Sequence, residues 1–275
     1  MDMEVFGLGV WDVVLRLGLG AVVGFCIGLT GVGGGVLGLQ AMTLVLRMDP
    51  IAAVGTTGLY IFLTKISASV HHARLKNISW GVSARILSGA LPANILVSQW
   101  VSRQGNCPGF VEALKVFIIC VVLFSAGVMV LDTLARLKKT VERKERNLAA
   151  RIEGHWFLRN IFCVIVGALL GGVVGATSLG GGCLIVPILI VIFGLTTQRA
   201  VGTSILIALF LTFATALIYG KGGEVEFPTA VVMAAGSLGG VKYGSTLSVK
   251  LPEQRLRLVV IGLILVAAAV MILNR

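Results

Sequence analysis

The chain has 275 residues, 57% hydrophobic and only 13% charged, with a mean hydropathy of +0.99. A soluble domain is about a quarter charged, so a soluble globular protein is excluded, and apolar runs near the ~20 residues of a bilayer span fill almost the whole length. The net charge of +11 does not call for nucleic acid, because Lys and Arg collect in the cytoplasmic loops of membrane proteins. The expected class is an all-α polytopic membrane protein, multi-pass in the cell (cytoplasmic) membrane.

The start, "MDMEVFGLGVWDVVLR", is acidic and lacks the basic stretch of a cleavable signal, so the first apolar segment is expected to remain. Two short apolar pieces, 13–29 and 34–47, flank "TGVGGGVLG" (Thr30–Gly38). "MDPIAAVGTT" then opens a run over 52–70, followed by "HHARLKN" (His71–Asn77), a run over 80–100, a loop over 101–110 and a run over 112–134. Next comes "ARLKKTVERKERNLAARIEG" (Ala135–Gly154), with seven basic and three acidic residues. Leu134, Leu137, Val141, Leu148 and Ile152 share one helical face there, the pattern of a helix lying on an anionic inner leaflet. Two further short pieces, 159–177 and 183–193, flank "TSLGGGCLI" (Thr177–Ile185), and "AVGTS" (Ala200–Ser204) opens the next apolar run.

The chain repeats itself at an offset of 147 residues. Gly20, Gly24 and Gly28 fall on Gly167, Gly171 and Gly175; Thr30 falls on Thr177; Gly33, Gly34 and Gly35 fall on Gly180, Gly181 and Gly182; "AVGTT" falls on "AVGTS", and Gly89 on Gly236. The division is a first repeat over 1–134, a basic cytoplasmic connector over 135–154 and a second repeat over 155–275. With the connector placed in the cytoplasm, His71–Asn77 and Val249–Arg257 come out inside and Lys221–Glu226 outside. Their charges suit those sides and favour two halves of opposite orientation, a plan shared by many secondary transporters. Parallel repeats are the alternative if each half crosses an even number of times.

Glycine costs about 1 kcal/mol in a helix interior relative to alanine, so two apolar triplets need a reason. The GxxxGxxxG series at Gly20–Gly28 and Gly167–Gly175 reads as close helix packing. Each triplet reads as a break or hairpin at membrane depth, where bare backbone N–H groups and half-helix N-termini can face an anion. The candidate substrate-binding set is Thr30, Gly33, Gly34, Gly35, Thr56, Thr57, Lys65, Thr177, Ser178, Gly180, Gly181, Gly182, Thr203 and Ser204. Helix capping is the plain alternative for the Gly-Thr-Thr/Ser hydroxyls, and snorkelling for Lys65. Arg85 and Lys242 read as snorkelling residues; Asn94, Gln40, Ser67 and Ser69 as path-lining or interhelical hydrogen-bonding groups; His71 and His72 as solvated loop residues. Acidic residues are nearly absent from span centres, which speaks against a carboxylate proton relay. Cys26, Cys107, Cys120, Cys163 and Cys183 form no CxxC pair or metal-ligand spacing. No cofactor, metal or catalytic residue is expected.

The doubled block of a glycine triplet, an apolar run and "AVGTS" resembles the sulfite exporter TauE/SafE family of membrane transporters. The second-half stretch "GATSLGGGCLIVPILIVIFGLTTQRAVGTS" carries the likeness most closely; the first half has Gln40 in place of Pro187 and Thr57 in place of Ser204. The resemblance implies transport of a small sulfur-containing anion such as sulfite or an organosulfonate. The expected mechanism is alternating access, the halves rocking about one central site, and a homodimer is compatible with it. An anion channel of the same architecture and a non-transporting structural subunit are the alternatives. An enzyme would want a polar catalytic cluster at depth, and the sequence offers none.

Overall fold

The computed structural model describes residues 9–30, 34–104, 109–127 (without 115, 122, 125 and 126), 156–178, 182–248 (without 192) and 262. The basic connector expected over 135–154 lies outside these residues. Two groups of four helices account for most of the described chain. They are α1 (Val10–Thr30), α2 (Gly34–Gln40), α3 (Pro50–Arg74) and α4 (Trp80–Arg103), then α5 (Trp156–Thr177), α6 (Gly182–Val191), α7 (Thr197–Lys221) and α8 (Phe227–Ser248). A π-helical turn, Ala41–Val45, extends α2, and residues 109–114 and 116–121 are also helical. α1, α3, α5 and α7 are long and apolar enough to cross a membrane; Gly34–Val45 is apolar but shorter.

The 147-residue offset recurs in the backbone. α3 and α7 begin and end at positions 147 apart, and α4 and α8 begin so. The turns match as well: Arg47 and Gly194 both hold positive φ, and so do Lys76 and Gly223.

Packing exchanges one helix between the two groups. α1 makes its main contacts with α8, α4 with α5, and α3 with α7. One hydrophobic core joins Val23, Val36, Leu39, Met42, Ile51, Ile61 and Met233, from α1, α2, its π-turn, α3 and α8. The other joins Ile86, Ala90, Leu170, Val174, Ile185, Leu189 and Leu211, from α4, α5, α6 and α7. The second core thus takes α5, α6 and α7 from one repeat and α4 from the other; the first rests mainly on α1, α2, α3 and α8 and also takes in Val101, Ala176 and Tyr219 from α4, α5 and α7.

The glycine series makes this exchange feasible. A Cβ on Gly20 or Gly24 would run into the backbone of Met233 or Ser237, and one on Gly167 or Gly171 into that of Ile86 or Ala90. The partner helices answer in kind: Gly236 and Gly240 sit on the Leu17 and Ala21 carbonyls, and Gly89 on that of Val164. In lipid, where no hydrophobic force separates helix from tail, this close backbone approach drives association. Gly20–Met233 and Gly24–Ser237 set α1 parallel to α8; Ile86–Gly167 and Ala90–Gly171 set α4 parallel to α5. α3 and α7 run antiparallel, with Gly55 beside Tyr219, Gly58 beside Ala216 and Phe62 stacked near Phe213.

Candidate functional site

The seam between the two cores is formed by α3 and α7, and the candidate polar residues gather along it. Thr56 and Thr203 are fully buried, and their hydroxyls act as acceptors at the start of another helix. The Glu226 amide, just before α8, donates to Thr56 Oγ1 at 3.0 Å. The Ser79 amide, just before α4, donates to Thr203 Oγ1 at 3.0 Å. The two bonds are equivalents under the 147-residue offset. Each hydroxyl thus accepts from the amide just before another helix, and each one serves a different helix from its own.

The neighbouring hydroxyls are used locally. Thr57 Oγ1 donates to Met42 Sδ at 3.0 Å, tying α3 to the π-turn. Ser204 Oγ donates to the Val201 carbonyl at 2.8 Å, and Thr177 Oγ1 to that of Val173 at 2.7 Å. Lys65 is half-buried on α3. Gly34 and Gly35 are buried in the first turn of α2, and Gly182 opens α6. Gly33, Gly180, Gly181 and the side chain of Thr30 lie outside the described residues.

Ser178 behaves differently. It follows α5 with φ of +48°, a left-handed conformation that costs an ordinary side chain about 1–2 kcal/mol. Its amide still reaches the Val174 carbonyl at 2.7 Å, so the turn is closed by its backbone. Its side chain is fully buried, yet among the described residues Oγ has no hydrogen-bond partner. A buried hydroxyl left unpaired costs roughly 1–3 kcal/mol. Oγ lies against Gly58 on α3: a Cβ there would stand 3.1 Å from it and 3.5 Å from Thr215 Cγ2 on α7.

Asn94 and Gln40 can line a path or bond between helices. Asn94, fully buried on α4, does the second: its Nδ2 donates to Thr215 Oγ1 at 3.0 Å and to the Gly171 carbonyl at 3.3 Å. One turn on, Ser98 Oγ and Tyr219 Oη both donate to the Gly175 carbonyl, at 3.2 and 3.0 Å. Reading by motif missed Thr215, Ser98 and Tyr219. Gln40 is 3% exposed, and both polar atoms of its amide lack a partner among the described residues. Three of these polar groups are not repeated between halves: Asn94 and Thr215 correspond to Val241 and Ala68, and Gln40 to Pro187. Two similar scaffolds thus carry different polar linings.

Comparisons with known proteins agree with the architecture. The family model described as sulfite exporter TauE/SafE matches residues 16–271. The chain is 28% identical to the probable membrane transporter protein YjnA of Bacillus subtilis (strain 168), covering 90% of this chain and 95% of that one. It is 27% identical to a probable membrane transporter protein of Haemophilus influenzae, over 89% and 92% of the two chains. It is 25% identical to the probable membrane transporter protein MJ0441 of Methanocaldococcus jannaschii, over 96% and 98%. No solved structure matches significantly. A helical multi-pass chain with this swapped, glycine-seamed core, matched from end to end by membrane transporters, belongs to the sulfite exporter TauE/SafE family.

Proposed function

We propose that this protein is a secondary carrier in the cytoplasmic membrane that moves a small anion, a sulfite- or sulfonate-like oxyanion, by alternating access. Ser178 is the observation that carries the reading. Its hydroxyl is buried, unpaired and held in a strained conformation where α3, α5 and α7 meet. Strain and an unmet donor together are what a ligand site tolerates and a plain structural turn avoids. The hydroxyl stands four residues before Gly182, which opens α6, so the amides of that helix start can join it around an anion.

The helix directions support an inverted arrangement. α1, α3 and α8 run one way and α4, α5 and α7 the other, so α1 opposes α5, α3 opposes α7 and α4 opposes α8 across the repeat. The moving bodies in this reading are the two cores rather than the two halves of the sequence. They would rock along the α3–α7 seam, with Ser178 and Gly58 at the contact.

The test is sulfite counterflow in proteoliposomes, with sulfate, thiosulfate, a small sulfonate and a carboxylate as competitors. Ser178→Ala removes one hydrogen bond to a charged ligand and is expected to raise KM roughly 10- to 100-fold, since such bonds are worth about 1.5–3 kcal/mol. Thermal stability is expected to hold or improve, because the alanine strands no hydroxyl. Flux without trans-stimulation would favour a channel. An unchanged KM in Ser178→Ala would remove Ser178 from the site.

A further inference from the structure

A second feature lies on the outside of the bundle, away from the α3–α7 seam. The C-terminal ends of α4 and α7 diverge around a cavity of about 550 Å³. One turn or more back from the helix ends its lining is apolar, with Ile95 and Leu217 38% and 49% exposed. Its mouth is polar and basic: Gln99, Ser102 and Arg103 from α4, and Lys221 from α7. Among the described residues no acidic side chain lines it, but Glu224 is close: its Cγ would stand 3.6 Å from a Cβ on Gly222, which does line it.

The depth of the mouth is marked independently. Trp100 is 56% exposed and meets Phe110 edge-on, with ring centroids 5.0 Å apart. An exposed tryptophan at a helix end belongs at the headgroup level of a bilayer. Arg103, the last residue of α4, is three positions on, and Lys221, the last of α7, shares the cavity. A cation is favoured at the end of any helix, which accounts for each residue alone. It does not account for two of them closing one groove that runs from headgroup level into the apolar zone. The sequence repeats the pair as well: Arg103 corresponds to Lys250 and Lys221 to Arg74.

We propose that this groove seats an anionic phospholipid. The phosphate sits between Arg103 and Lys221, Gln99 and Ser102 donate to its oxygens, and one acyl chain lies along Ile95 and Leu217. The match is one of charge and form: two cations at the mouth against the one carboxylate of Glu224 at its edge, and an apolar slot beneath.

Native mass spectrometry of the purified full-length protein tests this, with phosphatidylglycerol and phosphatidylcholine of the same acyl chains. The protein is expected to retain phosphatidylglycerol preferentially. Arg103→Gln/Lys221→Gln, at two exposed positions, is expected to weaken that binding roughly thirtyfold, two surface cations contributing about a factor of five each. Leu217→Trp fills the slot with both charges intact and is expected to displace the lipid too. Equal retention of both lipids, or unchanged binding in the double variant, would overturn the proposal. So would competition by millimolar inorganic phosphate, which would mark a free-anion site. A dimer that the double variant dissociates while phosphatidylglycerol binding persists would assign the groove to a second copy instead.

Discussion

Thr203→Val separates scaffold from site. The substitution keeps the volume and removes the oxygen that accepts the Ser79 amide at 3.0 Å. The Ser79 side chain makes no capping bond of its own, so the start of α4 leans on this bond. Stranding a partly buried amide costs about 1–3 kcal/mol, and at roughly 2–4 °C per kcal/mol for a chain of this size the melting temperature falls by about 2–12 °C. Thr203→Ser, which keeps the oxygen, holds close to the parent. The assay is a thermal melt followed by circular dichroism in one detergent, paired with the counterflow KM well below both transitions. The expected pair of results is a lower melting temperature and a KM changed by less than about twofold, under 0.5 kcal/mol. A tenfold rise in KM with an unchanged melt would refute the reasoning and make Thr203 a substrate ligand.

The equivalent Thr56→Val is expected to lower the melting temperature similarly through the Glu226 amide, and the two effects to add within about 0.5 kcal/mol because the bonds lie at opposite ends of the α3–α7 pair. Gly171→Ala and Gly172→Ala are expected to part company in the same melt. The first drives a methyl into the Ala90 backbone and costs at least about 2 kcal/mol. The second meets Val97 Cγ2 at an ordinary 3.6 Å and gains up to ~1 kcal/mol of helix propensity. Lys76→Gly is expected to stabilise by up to about 1 kcal/mol, since Lys76 holds φ of +54° where its counterpart is Gly223 and a side chain pays ~1–2 kcal/mol for that conformation.

The helical membrane class was legible because hydropathy is a bulk property that survives any detail of packing. The packing glycines were legible too, since Gly20, Gly24, Gly167 and Gly171 carry their spacing in the sequence. Their partners were not. A GxxxG run says that something comes close, and only tertiary structure says that α1 meets α8 and α4 meets α5. The hydroxyls show the same limit. Thr56 and Thr203 sit in a motif that suggests an anion pocket, yet their acceptors' partners are amides 170 and 124 residues away. Ser178 had a usable signal: Gly31 stands at the equivalent position, and a glycine in one repeat opposite a serine in the other hints at a left-handed backbone. Asn94 and Thr215 gave no motif, because their equivalents are apolar and the repeat cannot flag what it does not repeat.

The exchange of α4 and α8 also constrains how the protein is made. Arg16 on α1 donates to Thr229 on α8, 213 residues later, so the first helix enters the bilayer long before its glycine seam has anything to close against. It must wait, exposed to lipid, until nearly the whole chain has been inserted. A ribosome stalled after the first repeat would leave α1 and α4 with their seams open and no partner within the same polypeptide. The only available complement would be another half-length chain, each lending its α4 to the other's α1. A gene encoding one repeat alone would therefore specify an obligate swapped dimer, and joining two copies end to end would fix that dimer in a single polypeptide.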